Sequence, residues 1–208
     1  MVAARPALPL QDFQRISNAI AGMIVAERSE LIGNCVLFGI MGEHLLRKQY
    51  KLTDARTVVG AFSICIAPSK VIAFAGHQGT ADNRQNFHCW VEAAGYVFDF
   101  SSFLYPVLAS KFLGTTCKPL MFQKKLAQAS KSINTLNKPG AFYLSEDRAL
   151  REKTIDAALA APAFQDILRI LCEWYQPPPK MMKVIFIENR AGNSKPTSIH
   201  NSLLLGAW

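Results

Sequence analysis

A chain of 208 residues, half of them apolar, can bury one sizeable core and is short for two independent domains. Its 23 basic and 15 acidic residues leave a net charge of +8, but they are dispersed, with Lys124-Lys125 the densest pair beside Lys118, Lys131 and Lys138. That pattern reads as a solvated face and argues against a nucleic-acid-binding module, which concentrates charge beside stacking aromatics.

Nothing in the sequence reaches the roughly 20 consecutive apolar residues of a membrane-spanning helix. Met1 to Gln11 lacks the apolar stretch and small-residue cleavage site of a secretory signal. Cys35, Cys65, Cys89, Cys117 and Cys172 form neither a dense disulfide framework nor a Cys-x-x-Cys metal grip. The expectation is a cytoplasmic protein with reduced thiols, one domain over residues 1–208, no membrane partner, no metal and no cofactor.

Taken in chain order, Asp12 to Glu30 carries Phe13, Ile16, Ile20, Met23 and Ile24 near a 3.6-residue period, which predicts an amphipathic helix ended by Gly33. A second helix is expected from Asn34, its N-cap, to Gln49, apolar on most sides and therefore buried. Thr57–Ala67 and Lys70–Ala75 are rich in β-branched and aromatic residues and are split by Pro68-Ser69, which predicts two strands. Gly76 to Asn83 reads as a loop. Gln85–Ala93 and Tyr96–Phe100 read as a hairpin turning at Ala94-Gly95, followed by a helix or loop over Phe103–Leu113.

Further strands are expected at Pro119–Phe122, Ala141–Leu144 and Met182–Glu188, and helices at Glu146–Ala160 and Phe164–Tyr175, with Pro162 interrupting or restarting the pattern. Pro177-Pro178-Pro179 is a rigid connector. Helices first, then adjacent strands, then mixed elements predict an α+β fold, with a core at about residues 12–113 and additional α/β elements over 114–208.

Three residues stand out as candidate catalytic groups: Cys35, His88 and Asp99. A thiolate is the nucleophile of cysteine chemistry, and the first turn of a helix lowers a thiol's pKa through its dipole and unpaired N–H groups. Cys35 is expected there, where its backbone amide could also donate to an oxyanion. On the predicted strand His88, Trp90 and Glu92 share one face, and a two-residue turn sets Ala93 opposite Tyr96 and His88 opposite Ser101. Asp99 is then diagonal to His88, at roughly 7 to 8 Å between their backbones, a gap that two side chains can close. A longer turn would place Asp99 opposite Cys89, so the constellation depends on register.

The pattern His88-Cys89-Trp90-Val91-Glu92, then Gly95 and Asp99, downstream of a helix-borne Cys35, resembles the His-x-Trp-x-Glu and Asp hairpin of the transglutaminase-like superfamily, within the papain-like cysteine enzymes. The resemblance covers about Leu31 to Ser102. It implies N-terminal helices packed on an antiparallel sheet and thiol acyl transfer onto or from an amide or ester, as in hydrolases, peptidases and acyltransferases. Ala94 stands where many relatives carry Asp or Asn, and Val36 where an aromatic residue often follows the nucleophile. The second half matches none of the familiar members, which points to a separate bacterial branch.

Trp90, His77 and Asn34 are the expected substrate contacts, Trp90 as a cover over the site. The expected substrate is a small-molecule, peptide or protein acyl group. Each residue also has a plainer reading: Cys35 as a small core residue, His88 as a structural histidine, Asp99 as a turn cap, Trp90 as packing, and His77 as part of a solvated loop. Cys65, Cys89 and Cys172 read as core. The alternative function is a binding module on the same fold with an idle triad.

Overall fold

The computed structural model describes residues 7–27, 30–74, 87–175, 184–188, 192, 194–198 and 203–208. The predicted α+β class is what the chain forms. Helices α1 (Leu10–Ala26) and α2 (Cys35–Gln49) lead into strands β1 (Arg56–Ala67), β2 (Lys70–Phe74), β3 (His88–Ala93) and β4 (Tyr96–Asp99). Then follow α3 (Tyr105–Leu113), β5 (Phe122–Lys125), β6 (Phe142–Glu146), α4 (Arg148–Leu159), α5 (Pro162–Trp174) and a hairpin of β7 (Val184–Glu188) and β8 (Ser194–Ser198).

Six strands make one antiparallel sheet in the order β2-β1-β3-β4-β5, with β6 also paired to β1. The length of β1 is what allows this: residues 56–60 pair with β3, 60–64 with β6 and 62–67 with β2. Gly60 lies where two of these pairings meet, and an ideal Cβ there would sit 2.1 Å from the Ser145 carbonyl oxygen, so no side chain fits.

The sheet curls, and its two faces bury different sets of residues. Val59, Cys89, Val91 and Phe98 face a core filled by Phe13, Ile16, Ile20, Phe38, Met41 and Leu45 of α1 and α2. Val58, Phe62, Ile64, Trp90, Val97 and Phe122 point the other way, onto Tyr105, Leu108 and Ala109 around α3. Each fully buried side chain of this size contributes about 1.5–3 kcal/mol. Helix α2 comes close to β3 because its inner face carries glycines: a Cβ at Gly42 would lie 2.4 Å from Phe100 Cδ2, and one at Gly39 would lie 2.7 Å from Thr57 Cγ2.

Several boundaries differ from the sequence expectation. The first helix stops at Ala26, short of Glu30, and Gly33, at φ 90°, belongs to the turn that precedes α2. β5 begins where the expected Pro119–Phe122 strand ends, because its residues pair with Tyr96–Asp99 of β4. α5 starts on Pro162 itself, whose missing N–H is harmless at a first helical position. β8 has no apolar pattern to reveal it, since it is a polar edge strand read only through its pairing with β7. Gly76 to Asn83, the Pro177-Pro178-Pro179 connector and Met182 lie outside the described residues.

Among the described residues, no helix is long and apolar enough to cross a membrane.

Candidate functional site

Cys35 is the first residue of α2, preceded by the Gly33 turn. Asn34 occupies the N-cap position, but its side chain makes no cap bond. Its carbonyl accepts from Leu37 N–H at 3.0 Å and Phe38 N–H at 3.2 Å, while its Nδ2 donates back to the Glu30 carbonyl. The N–H groups at the start of such a helix have no carbonyl four residues back within the helix, so this end carries a partial positive charge at the cysteine.

His88 is the first residue of β3 and pairs with Gly60 of β1. The residue is 3% exposed, and its ring stacks on Phe74 with centroids 4.2 Å apart and leans on Phe62 at 5.1 Å. The hairpin has the short-turn register, with Ala93 opposite Tyr96 and Val91 opposite Phe98, and its turn residues Ala94 and Gly95 have φ of 51° and 75°. These angles belong to a type I′ turn. Asp99 therefore falls on the histidine's face, and His88 Nε2 lies 2.7 Å from Asp99 Oδ2. With Nε2 committed, Nδ1 is the ring nitrogen left for Cys35.

Asp99 is a buried carboxylate with its needs met. Oδ2 also accepts from the Tyr105 hydroxyl at 2.5 Å, and Oδ1 accepts from Ser101 N–H at 2.9 Å and Ser101 Oγ at 2.6 Å. Burial pushes its pKa up, but the His88 charge and these hydrogen bonds outweigh it, and the carboxyl ends below its ordinary value. Burial likewise pushes His88 down, while Asp99 and the Cys35 sulfur raise it to about 10. Tyr105, raised by burial and by Asp99, keeps its proton and donates.

The Cys35 thiol is held well below its usual value. The largest cause is a hydrogen bond with Cys89; burial opposes it, and the bond and charge of His88 lower the thiol further. Cys89 moves the opposite way, pushed up by its bond to Cys35 and by burial, so it stays protonated and donates its S–H to the Cys35 sulfur. Both shifts thus favour the same charge separation, a Cys35 thiolate beside a His88 imidazolium, with Asp99 behind the ring.

A cleft of about 210 Å³ opens over Cys35 and His88, between the turn at Leu31–Gly33, Phe74 at the end of β2, Phe87 just before β3, and the Leu104–Phe112 segment. Trp90 does not line it. Trp90 is 1% exposed, packs on Phe62, and donates its indole N–H to Glu92 Oε1 at 3.1 Å. Glu92 in turn accepts from Arg56 Nη2 at 2.7 Å, and Arg56 Nη1 donates to Glu146 Oε1 at 2.7 Å. The Trp90 and Glu92 part of the motif therefore ties β3 to β1 and β6, and the covering role expected of Trp90 falls to no part of its side chain. Asn34 does not line the cleft either, and His77 lies outside the described residues. Among the described residues no cluster of three or more His, Cys, Asp and Glu is arranged to hold a metal ion.

Three participants were not anticipated from the sequence. Cys89, expected as core, reaches Cys35 because its side chain leaves the strand on the helix face while His88 leaves on the other. Ser101 and Tyr105 follow Asp99 closely in the chain, and a buried carboxylate's demand for donors is the signal that could have found them.

A family model described as "Protein of unknown function (DUF2026)" matches residues 9–208. None of the curated proteins compared matches the chain. A solved structure described as "The crystal structure of genomics APC5867" is similar over 100% of both chains, with 22% sequence identity and a TM-score of 0.86, a likeness of fold.

Proposed function

We propose, for a chain that belongs to the DUF2026 family, thiol-dependent acyl transfer on a papain-like, transglutaminase-like fold, with Cys35 as nucleophile, His88 as acid and base, and Asp99 as the group that orients His88. The observation that carries this reading is His88, held by Asp99 at 2.7 Å through Nε2 and interacting also with the Cys35 sulfur at the head of α2. A histidine satisfied only as a structural residue has no need of a thiol whose pKa is depressed.

In the proposed reaction the Cys35 thiolate forms a bond to the acyl carbon of an amide or ester. The N–H groups at the start of α2 stabilise the negative oxygen, and His88 gives its Nδ1 proton to the leaving amine or alcohol as the bond to it breaks. Neutral His88 then takes a proton from water or another acceptor, which attacks the thioester carbon and releases Cys35 as thiolate and His88 as imidazolium. Asp99 stays ionised throughout and keeps the ring in one tautomer.

The test is to incubate the protein with activated esters and search for a covalent acyl group on Cys35 by peptide mass spectrometry. An adduct on Cys35 that forms, turns over and is absent from His88→Ala supports the reading. Acylation spread over several cysteines, or none, would leave a binding module with an idle triad.

A further inference from the structure

We infer that the acyl group accepted by this site is uncharged and apolar, of roughly six to eight carbons, with the remainder of the substrate left outside; this rests on the acyl-transfer reading above. The walls of the cleft are Leu31, Ile32, Phe74, Phe87, Leu104 and Leu108, with Phe112, 66% exposed, at its mouth. Its polar members among the described residues are Cys35, His88 and Ser101. The hydroxyl of Ser101 is already spent on Asp99 at 2.6 Å, and the imidazole is held between Asp99 and Cys35.

Among the described lining residues there is no Lys, Arg, Asp or Glu to meet a charge on the substrate. A carboxylate or ammonium carried into such a wall would lose its hydration without a partner, which is strongly unfavourable. The net charge of +8 does not change this for the described residues, because none of their basic side chains lines the cleft.

Size sets the second limit. An apolar cavity of about 150 Å³ holds a benzene ring. The cleft measures about 210 Å³, which in proportion holds roughly eight non-hydrogen atoms. Pockets that enclose a whole drug-sized ligand run from about 300 Å³ upward, so this one takes the acyl portion and leaves the leaving group at the mouth, near Phe112. Two larger hollows, of about 510 and 460 Å³, lie against α5 and contain none of Cys35, His88 or Asp99.

The experiment has two parts. The first measures kcat/KM for nitrophenyl esters of straight-chain acids from two to sixteen carbons, with the succinyl half-ester as a charged member. The expected profile rises roughly fourfold per methylene, peaks at six to eight carbons, falls beyond ten, and leaves the succinyl ester at least a hundredfold below the butyryl ester. In Ile32→Asp, a change at the partly exposed rim that the fold tolerates, the advantage of octanoyl over acetyl should shrink about tenfold.

The second part measures binding of octanamide and of succinamate to Cys35→Ala by calorimetry, which reads the cleft without chemistry. Octanamide should bind and succinamate should not. If octanamide binds but no ester acylates Cys35, the acyl-transfer reading fails and the ligand class stands. If Cys35 is acylated, yet the succinyl or acetyl ester is best or the profile is flat, the ligand class is overturned and the acyl-transfer reading stands.

Discussion

The Ala94 backbone N–H donates to Asp54 Oδ2 at 2.8 Å, and the contact holds a non-glycine residue at φ 51° in the turn between β3 and β4. That turn fixes the hairpin register. A one-residue slip would move Asp99 to the helix face of the sheet and leave His88 without its partner. Asp54 thus supports the site from its far end.

Ala94→Gly tests how much strain the turn carries. A left-handed alanine costs about 1–2 kcal/mol, part of which glycine returns as entropy lost on folding. The variant should be about 0.5–1 kcal/mol more stable, or about 2 °C higher in Tm, and equally active. Thermal melts check this, and a lower Tm would mean that the turn is not strained.

Asp99→Asn should lower kcat by about 10³- to 10⁴-fold with little change in KM. An amide presenting its NH₂ to His88 Nε2 would force the proton onto Nδ1, and the ring could no longer accept the thiol proton. Steady-state kinetics reads the effect. A loss below tenfold would mean that Asp99 is a structural cap whose contact with His88 is incidental to the reaction.

Trp90→Phe should remove the indole bond to Glu92 and part of the packing on Phe62, costing about 1–3 kcal/mol of stability. KM for small acyl substrates should not move, because Trp90 lies in the sheet's other core, away from the cleft. Denaturant melts and kinetics on the same preparation separate the two effects. A severalfold rise in KM would put the indole against substrate.

How far the sequence reached can be seen residue by residue. Cys35, His88 and Asp99 were legible because each depends on local pattern: an apolar run after Gly33-Asn34, an alternating strand, and a two-residue turn whose length decides the register. The cleft was not legible. It is built by segments far apart in the chain, the Leu31–Gly33 turn, Phe74 and Phe87, and the Leu104–Phe112 stretch, and no period links them. Trp90 misled because strand alternation assigns it to the histidine's face correctly, while only the curl of the sheet, which brings Phe62, Phe122 and Tyr105 onto that face, decides that it is core. Cys89 was passed over for the reverse reason: its face is the core side, and α2 approaches closely enough for Cys35 to meet it only because Gly39 and Gly42 lack side chains.

The titrations set the pH behaviour. His88 is raised to about 10, so the stability it contributes is fully present below its unfolded value of about 6.5 and is lost as pH rises through about 10. Asp99 is lowered, so its contribution is present above the unfolded value of about 3.9 and is lost as pH falls through the depressed folded value. Turnover should therefore hold across neutral pH and fall on the alkaline side near 10, where His88 no longer carries the proton for the leaving group. A pH profile of kcat/KM checks the limb, and a rate that keeps climbing above pH 10 would contradict it.

The central claim is the thiolate–imidazolium pair, and the rate of iodoacetamide labelling at each cysteine from pH 5 to 9, in wild type and His88→Ala, reads it most directly. Cys35 should label fastest of the five cysteines, at a rate nearly flat down to pH 5 to 6. In the variant the rise in rate should move to higher pH by the share of the depression that His88 supplies, while the Cys89 bond keeps its own share, so the curve stops short of an ordinary thiol's near pH 8.5. Slow labelling of Cys35 that follows a normal thiol curve and ignores the loss of His88 would contradict the account.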